Sequence, residues 1–102
     1  MTELTSRDLE LLAGYFKVLG ELSRLQVLCS LKQGRKNVTE IMQDTGLRQA
    51  NVSKHLKILT QGGIVRRQPQ GIAVYYEIID PLIFQICDLI TYHRQCSSNY
   101  PR

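Results

Sequence analysis

The side chains of this 102-residue chain best suited to chemistry are Cys29, Cys87, Cys96, His55 and His93. A thiol can pack as a small apolar group, ligate a soft metal or, as thiolate, attack sulfur or an electrophile. In the run RLQVLCSL every apolar position is Leu or Val except Cys29, which is either a core filler or a sensor. The cysteines form no CxxC and the histidines no HExxH, so the common zinc and dithiol motifs are absent. There is also no glycine-rich phosphate loop, and no Ser-His-Asp or paired-carboxylate grouping that helices and a hairpin would assemble. These absences argue against an enzyme.

The totals describe one domain, residues 1–102, with 43% hydrophobic and 22% charged residues. That is enough for a core and too little charge for a disordered tail. No apolar run approaches the ~18 residues of a membrane span. The opening MTELTSRDLELL is too polar for a secretory signal. The expected location is therefore cytoplasmic, with cysteines that are free, metal-bound or redox-active. Net charge is +4, and residues 35–67 hold seven basic groups against two acidic ones. A basic centre between neutral flanks suits a polyanion partner.

The elements that must position these groups follow from periodicity. A first helix, about 5–19, starts at Thr5 or Ser6 and carries Leu9, Leu12, Ala13, Phe16 and Val18-Leu19. A second runs from about Leu22 to Lys32, with Leu22, Leu25, Leu28, Cys29 and Leu31 on or near its inward side. Asn37 and Glu40 form a capping box for a short third helix that Gly46 closes. A fourth spans about Gln49 to Gln61, its inward positions Val52, Leu56 and Leu59. The period then alternates. Residues 64–67 and 72–79 read as strands around a turn at Gln68-Pro69-Gln70-Gly71. Asp80-Pro81 starts a last helix, about 80–96. The end, SSNYPR, is expected to fray.

This order predicts a mainly α fold with a β-hairpin wing. It is a winged helix-turn-helix, α-α-α-α-β-β-α, with the helix-turn-helix at about 37–62 and the wing at about 64–79. The fourth helix shows Gln49, Asn51, Ser53 and Lys54 near its start, and no acid lies between Asp44 and Glu77. Short amides and hydroxyls suit base edges in the major groove. Arg48, Lys54, His55, Lys57, Arg66 and Arg67 are the expected phosphate contacts. The wing tip is uncharged, so little sequence reading is expected there. One short helix on one half-site binds modestly, which favours a homodimer on palindromic double-stranded DNA. The aliphatic first and last helices are its natural interface, with Cys87 in that dimer core among Ile83, Ile86 and Ile90. A winged-helix protein-interaction module is the alternative.

The run from LGELSRLQVLCSLKQG through VTEIMQDTGLRQANVSKHLKIL to GIVRRQPQGIAVYYEI resembles the ArsR/SmtB family of bacterial repressors, over roughly residues 10–95. The resemblance implies a homodimeric winged-helix repressor that needs no cofactor and leaves its operator on a metal or other chemical signal. Where the family commonly has Ser at the N-cap of the recognition helix, this chain has Arg48.

The resemblance also frames what is sensed. One family metal site uses Cys-x-Cys at positions that are Asn37 and Thr39 here, so that site is absent. A second uses the last helices of both subunits, matching Asp80, Leu82, His93 and Cys96. Leu82 cannot ligate, which leaves Asp80, His93 and Cys96 as weak candidates. Some members sense sulfide, persulfides or oxidants through one Cys in the second helix and one late in the last. Cys29 and Cys96 match that pattern, Cys96 within about a residue. A direct bridge needs alpha carbons within about 7 Å.

Overall fold

The computed structural model describes residues 3–96, so the SSNYPR end expected to fray lies outside the described residues. The elements are α1 (Ser6–Leu19), α2 (Leu22–Leu31), α3 (Val38–Thr45), α4 (Gln49–Gln61), β1 (Val65–Gln70), β2 (Ala73–Ile78) and α5 (Leu82–Cys96). Thr5 caps α1 in a capping box with Asp8, and Asn37 does the same for α3 with Glu40. Gly46 closes α3 with φ +74°, a left-handed conformation that glycine adopts without steric cost. Arg48 precedes α4 without any side-chain cap hydrogen bond. Arg48→Ser is therefore expected to raise thermal stability by about 1 kcal/mol, read as a higher Tm.

The core is built by α2, α3, α4 and the base of the hairpin. Val27, Leu28, Leu31, Ile41, Val52, Leu56, Leu59, Ile64 and Val65 are buried there. Ile83 is the only residue of α5 in this core, and α1 contributes no buried residue. Tyr15 ties these two outer helices together, donating from its hydroxyl to the Asp80 carboxylate at 2.9 Å. Burial and that carboxylate hold the phenol above its ordinary range.

Helix α2 is rotated from the sequence expectation. Leu22 and Leu25 are exposed, and so is Cys29, which excludes the core-filler reading for this thiol. The inward stripe is Arg24, Val27, Leu28 and Leu31, at i, i+3, i+4 and i+7. Arg24 is held within the core through its two terminal nitrogens, which donate to the Val18 carbonyl at 2.6 Å and to Glu21 at 3.2 Å, while its buried Nε has no hydrogen-bond partner. Arg24→Ala removes charge-assisted bonds at the α1–α2 junction and is expected to cost about 1–3 kcal/mol in a denaturant titration.

The hairpin also differs in register. β1 runs on through Pro69 to Gln70, which pairs with Ala73, so the turn is Gly71-Ile72 instead of 68–71. Gly71 has φ +63°, as a two-residue hairpin turn requires. Pro69 is tolerated because β1 pairs on one side only and has a free edge in this two-stranded sheet. Lys36 adds an isolated antiparallel bridge to Tyr76, which fastens the wing to the approach of α3.

Candidate nucleic-acid interface and thiol sites

Along α4 the exposed side chains are Gln49, Ala50, Asn51, Ser53, Lys54, Lys57 and Gln61, while Val52, Leu56 and Leu59 face inward. The amide, hydroxyl and ammonium groups therefore share the solvent side of one helix. From its middle onward, Ser53 and Lys57 meet Arg67 and Tyr76 of the wing around a groove of about 260 Å³. The hairpin thus brings one basic strand residue beside the recognition helix. Its neighbour Arg66 is paired across the sheet with Glu77 at 2.6 Å, which offsets its charge for phosphate. Arg35, outside the sequence-derived set, lies 4.8 Å from the centroid of the Tyr75 ring. This cation–π contact holds a further guanidinium against the wing. At the wing tip Ile72 is fully exposed.

His55 departs from expectation. It is fully buried and turned away from any phosphate, because it lies on the same stripe as Val52, Leu56 and Leu59. Its Nε2 is 2.8 Å from the Ser23 Oγ, and that hydroxyl is 3.2 Å from Glu21 Oε1. The chain is consistent when Nε2–H donates to Ser23 and Ser23 donates to Glu21. Nδ1 then remains as a buried acceptor without a hydrogen-bond partner. His55 is thus a strut between α4 and the start of α2.

Desolvation lowers the His55 pKa below its ordinary 6.5 despite the opposing pull of Glu21. The folded state prefers the neutral ring, so the unfolded chain takes up the proton first as pH falls. Stability is full above 6.5 and declines as pH drops from 6.5 towards the lowered folded value. Denaturant midpoints measured between pH 8 and 5 check this, and His55→Leu should flatten that part of the profile.

Of the thiols, Cys29 lies on α2 and Cys87 and Cys96 lie on α5. Cys29 and Cys96 are exposed, Cys87 is half-buried, and all are free. Cys29 stands between two hollows. One, about 350 Å³, is polar and includes Ser30, Gln33 and Asp44. Ser30 donates to the Asp44 carboxylate at 2.7 Å, and Lys36 pairs with the same group. Those bonds hold the Asp44 carboxyl below its ordinary range. The other hollow lies between α2 and α5 and includes Cys87. Cys87 was expected in a dimer core. In the single chain it is half-buried and packs against the core. Cys96 lines neither hollow and ends α5, about 7.5 Å along the axis from Thr91 at the hollow's edge.

Asp80 accepts both the Tyr15 hydroxyl and the Leu82 N–H, so its carboxylate is engaged at the start of α5. His93 and Cys96 lie at the other end of that helix. Among the described residues no group of three His, Cys, Asp or Glu side chains is arranged to hold a metal. A site made from these three would have to combine α5 helices of two subunits.

With this geometry, comparison with known proteins is decisive. The pattern described as "Bacterial regulatory protein, arsR family" matches residues 23–67, from α2 to β1. The transcriptional repressor PagR of Bacillus anthracis is 36% identical over 84 residues, 81% of this chain and 80% of that protein. The chain belongs to the arsR family. As an arsR-family member it is a DNA-binding transcriptional regulator, and not an enzyme. Its fold is similar to a homodimeric winged helix-turn-helix DNA-binding domain from Mycobacterium bovis. That likeness has TM-score 0.75 and 26% identity, covering 100% of this chain and 99% of that one. The antimony-specific transcriptional repressor AntR is similar at TM-score 0.82 and 27% identity, covering 93% and 86%. ArsR-family repressors thus include metal-responsive members. Among the described residues no helix is long and apolar enough to cross a membrane.

Proposed function

We propose that this arsR-family repressor acts in the cytoplasm on a palindromic operator, and releases it when Cys29 and Cys96 are oxidised or persulfidated. The observation that carries the reading is the exposure of Cys29 on α2, facing the helix that ends in Cys96. Linking the two thiols, directly or through inserted sulfur, would tie α2 to α5. The effect would reach DNA through α2 itself. Cys29 lies near one end, and Ser23, about 9 Å away along the axis, holds His55 of the recognition helix.

On the DNA side, Gln49, Asn51 and Ser53 would face base edges, while Arg48, Lys54, Lys57 and Arg67 would neutralise phosphates. Arg66 would join them at the expense of its pairing with Glu77. The exposed apolar side chains of α1 and α5, Leu9, Leu12, Phe16, Leu89, Ile90 and Tyr92, would form the dimer interface.

Mobility shift on the palindrome upstream of the chain's own gene tests the DNA half. The logarithm of the binding constant should fall linearly with log salt, with a slope near −0.9 per phosphate neutralised. Affinity no better than for random duplex at physiological salt would overturn it.

A further inference from the structure

The hollow between α2 and α5 has a chemistry of its own. Its volume is about 370 Å³, within the range of small-molecule sites. Leu19, Leu25 and Leu28 line one side and Ile83, Ile86 and Ile90 the other. The remaining wall is formed by the thiols Cys29 and Cys87 and by Thr91, whose hydroxyl already donates to the Cys87 carbonyl at 2.9 Å. No charged side chain lines it. The hollow would therefore desolvate a charged ligand without compensation and stabilise a neutral apolar one.

We propose that this hollow is a binding site for a small, neutral α,β-unsaturated carbonyl compound, which Cys29 captures by conjugate addition. The Cys29 sulfur forms a bond to the β carbon, the C=C π pair shifts to the carbonyl, and the thiol proton ends on the α carbon. Nothing leaves, and no oxidant or reductant is consumed. The aliphatic walls concentrate the apolar body beside the thiol, so specificity comes from burial and the capture from the exposed sulfur. Cys87, on the same wall, gives an electrophile with two acceptor carbons a second point of attachment. Ile90 is shared between the hollow and the apolar face of α5, so an occupant there would bear on the subunit contact as well.

The site is independent of a Cys29–Cys96 link, and its test separates the two. The reduced full-length dimer is labelled with limiting N-phenylmaleimide or with a sulfonated maleimide of matched reactivity. Peptide mass spectrometry then reads the ratio of Cys29 to Cys96 labelling. The ratio should be at least about tenfold higher for the phenyl reagent than for the sulfonated one. Leu25→Lys, which places an ammonium at the hollow, should erase most of that preference. Equal ratios for both reagents, no Cys29 labelling by either, or an unchanged preference in Leu25→Lys would each overturn the proposal. In Cys96→Ser, Cys29 should still take the phenyl reagent while polysulfide no longer releases DNA. A failed bridge therefore leaves the hollow standing, and a failed labelling preference leaves the bridge standing.

Discussion

Asn51→Ala should weaken operator binding by about 5- to 150-fold, the equivalent of one lost amide contact to a base at ~1–3 kcal/mol, and should leave binding to random duplex nearly unchanged. The side chain is exposed on the first turn of α4, on the face that excludes Val52, Leu56 and Leu59. It packs against nothing buried, so its loss should not disturb the fold. Lys57→Ala gives the complementary signature. Lys57 lies beside Arg67 in the groove between helix and wing, where a phosphate would pass. Its loss should weaken specific and random DNA alike and reduce the magnitude of the salt slope by about 1. Competition mobility shifts at several salt concentrations distinguish the two. If Asn51→Ala weakened random DNA as much as operator, its place on the reading face would be wrong.

The second large effect concerns the signal. Cys29→Ser should bind the operator as tightly as the reduced parent, because the exposed thiol supports no core contact. Polysulfide or peroxide should weaken the parent by about 5- to 150-fold, the usual range of a coupling between two sites, and leave the variant unaffected. Cys96→Ser should behave the same way. Cys87→Ser should still respond, since Cys87 is not needed for a Cys29–Cys96 link. If zinc or another soft metal released DNA while oxidants did not, the thiol-bridge reading would fail. The candidates Asp80, His93 and Cys96 of two subunits would then have to be tested as ligands.

Most of the scaffold could be read from residue order. Asn37 with Glu40, the glycine after Thr45, and the change from helical to alternating period before β1 each carry a local cause, and each element forms where its cause lies. The misreadings also have local causes. His55 reads as a phosphate contact because it is polar and basic, and Arg24 is left off the inward side of α2. Yet their spacing to Val52, Leu56 and Leu59, and to Val27, Leu28 and Leu31, places both on buried stripes. Periodicity outweighed residue type once Ser23, Glu21 and the Val18 carbonyl supplied partners. By the same rule Cys29 falls one position off its stripe, which makes it exposed. The wing turn shifted because Pro69 reads as a turn residue although a sheet edge accepts it. The hollow joining Cys29 and Cys87 could not be read at all, since no sequence spacing relates α2 to α5.

The most direct test of the central claim joins the chemistry to the DNA. The reduced homodimer is bound to its operator and treated with polysulfide, and the released and bound fractions are digested for mass spectrometry. The account predicts a link between Cys29 and Cys96 in the released protein, its absence from the bound protein, and recovery of binding with a thiol reductant. Release without that link, or the link in protein still bound to DNA, would contradict it.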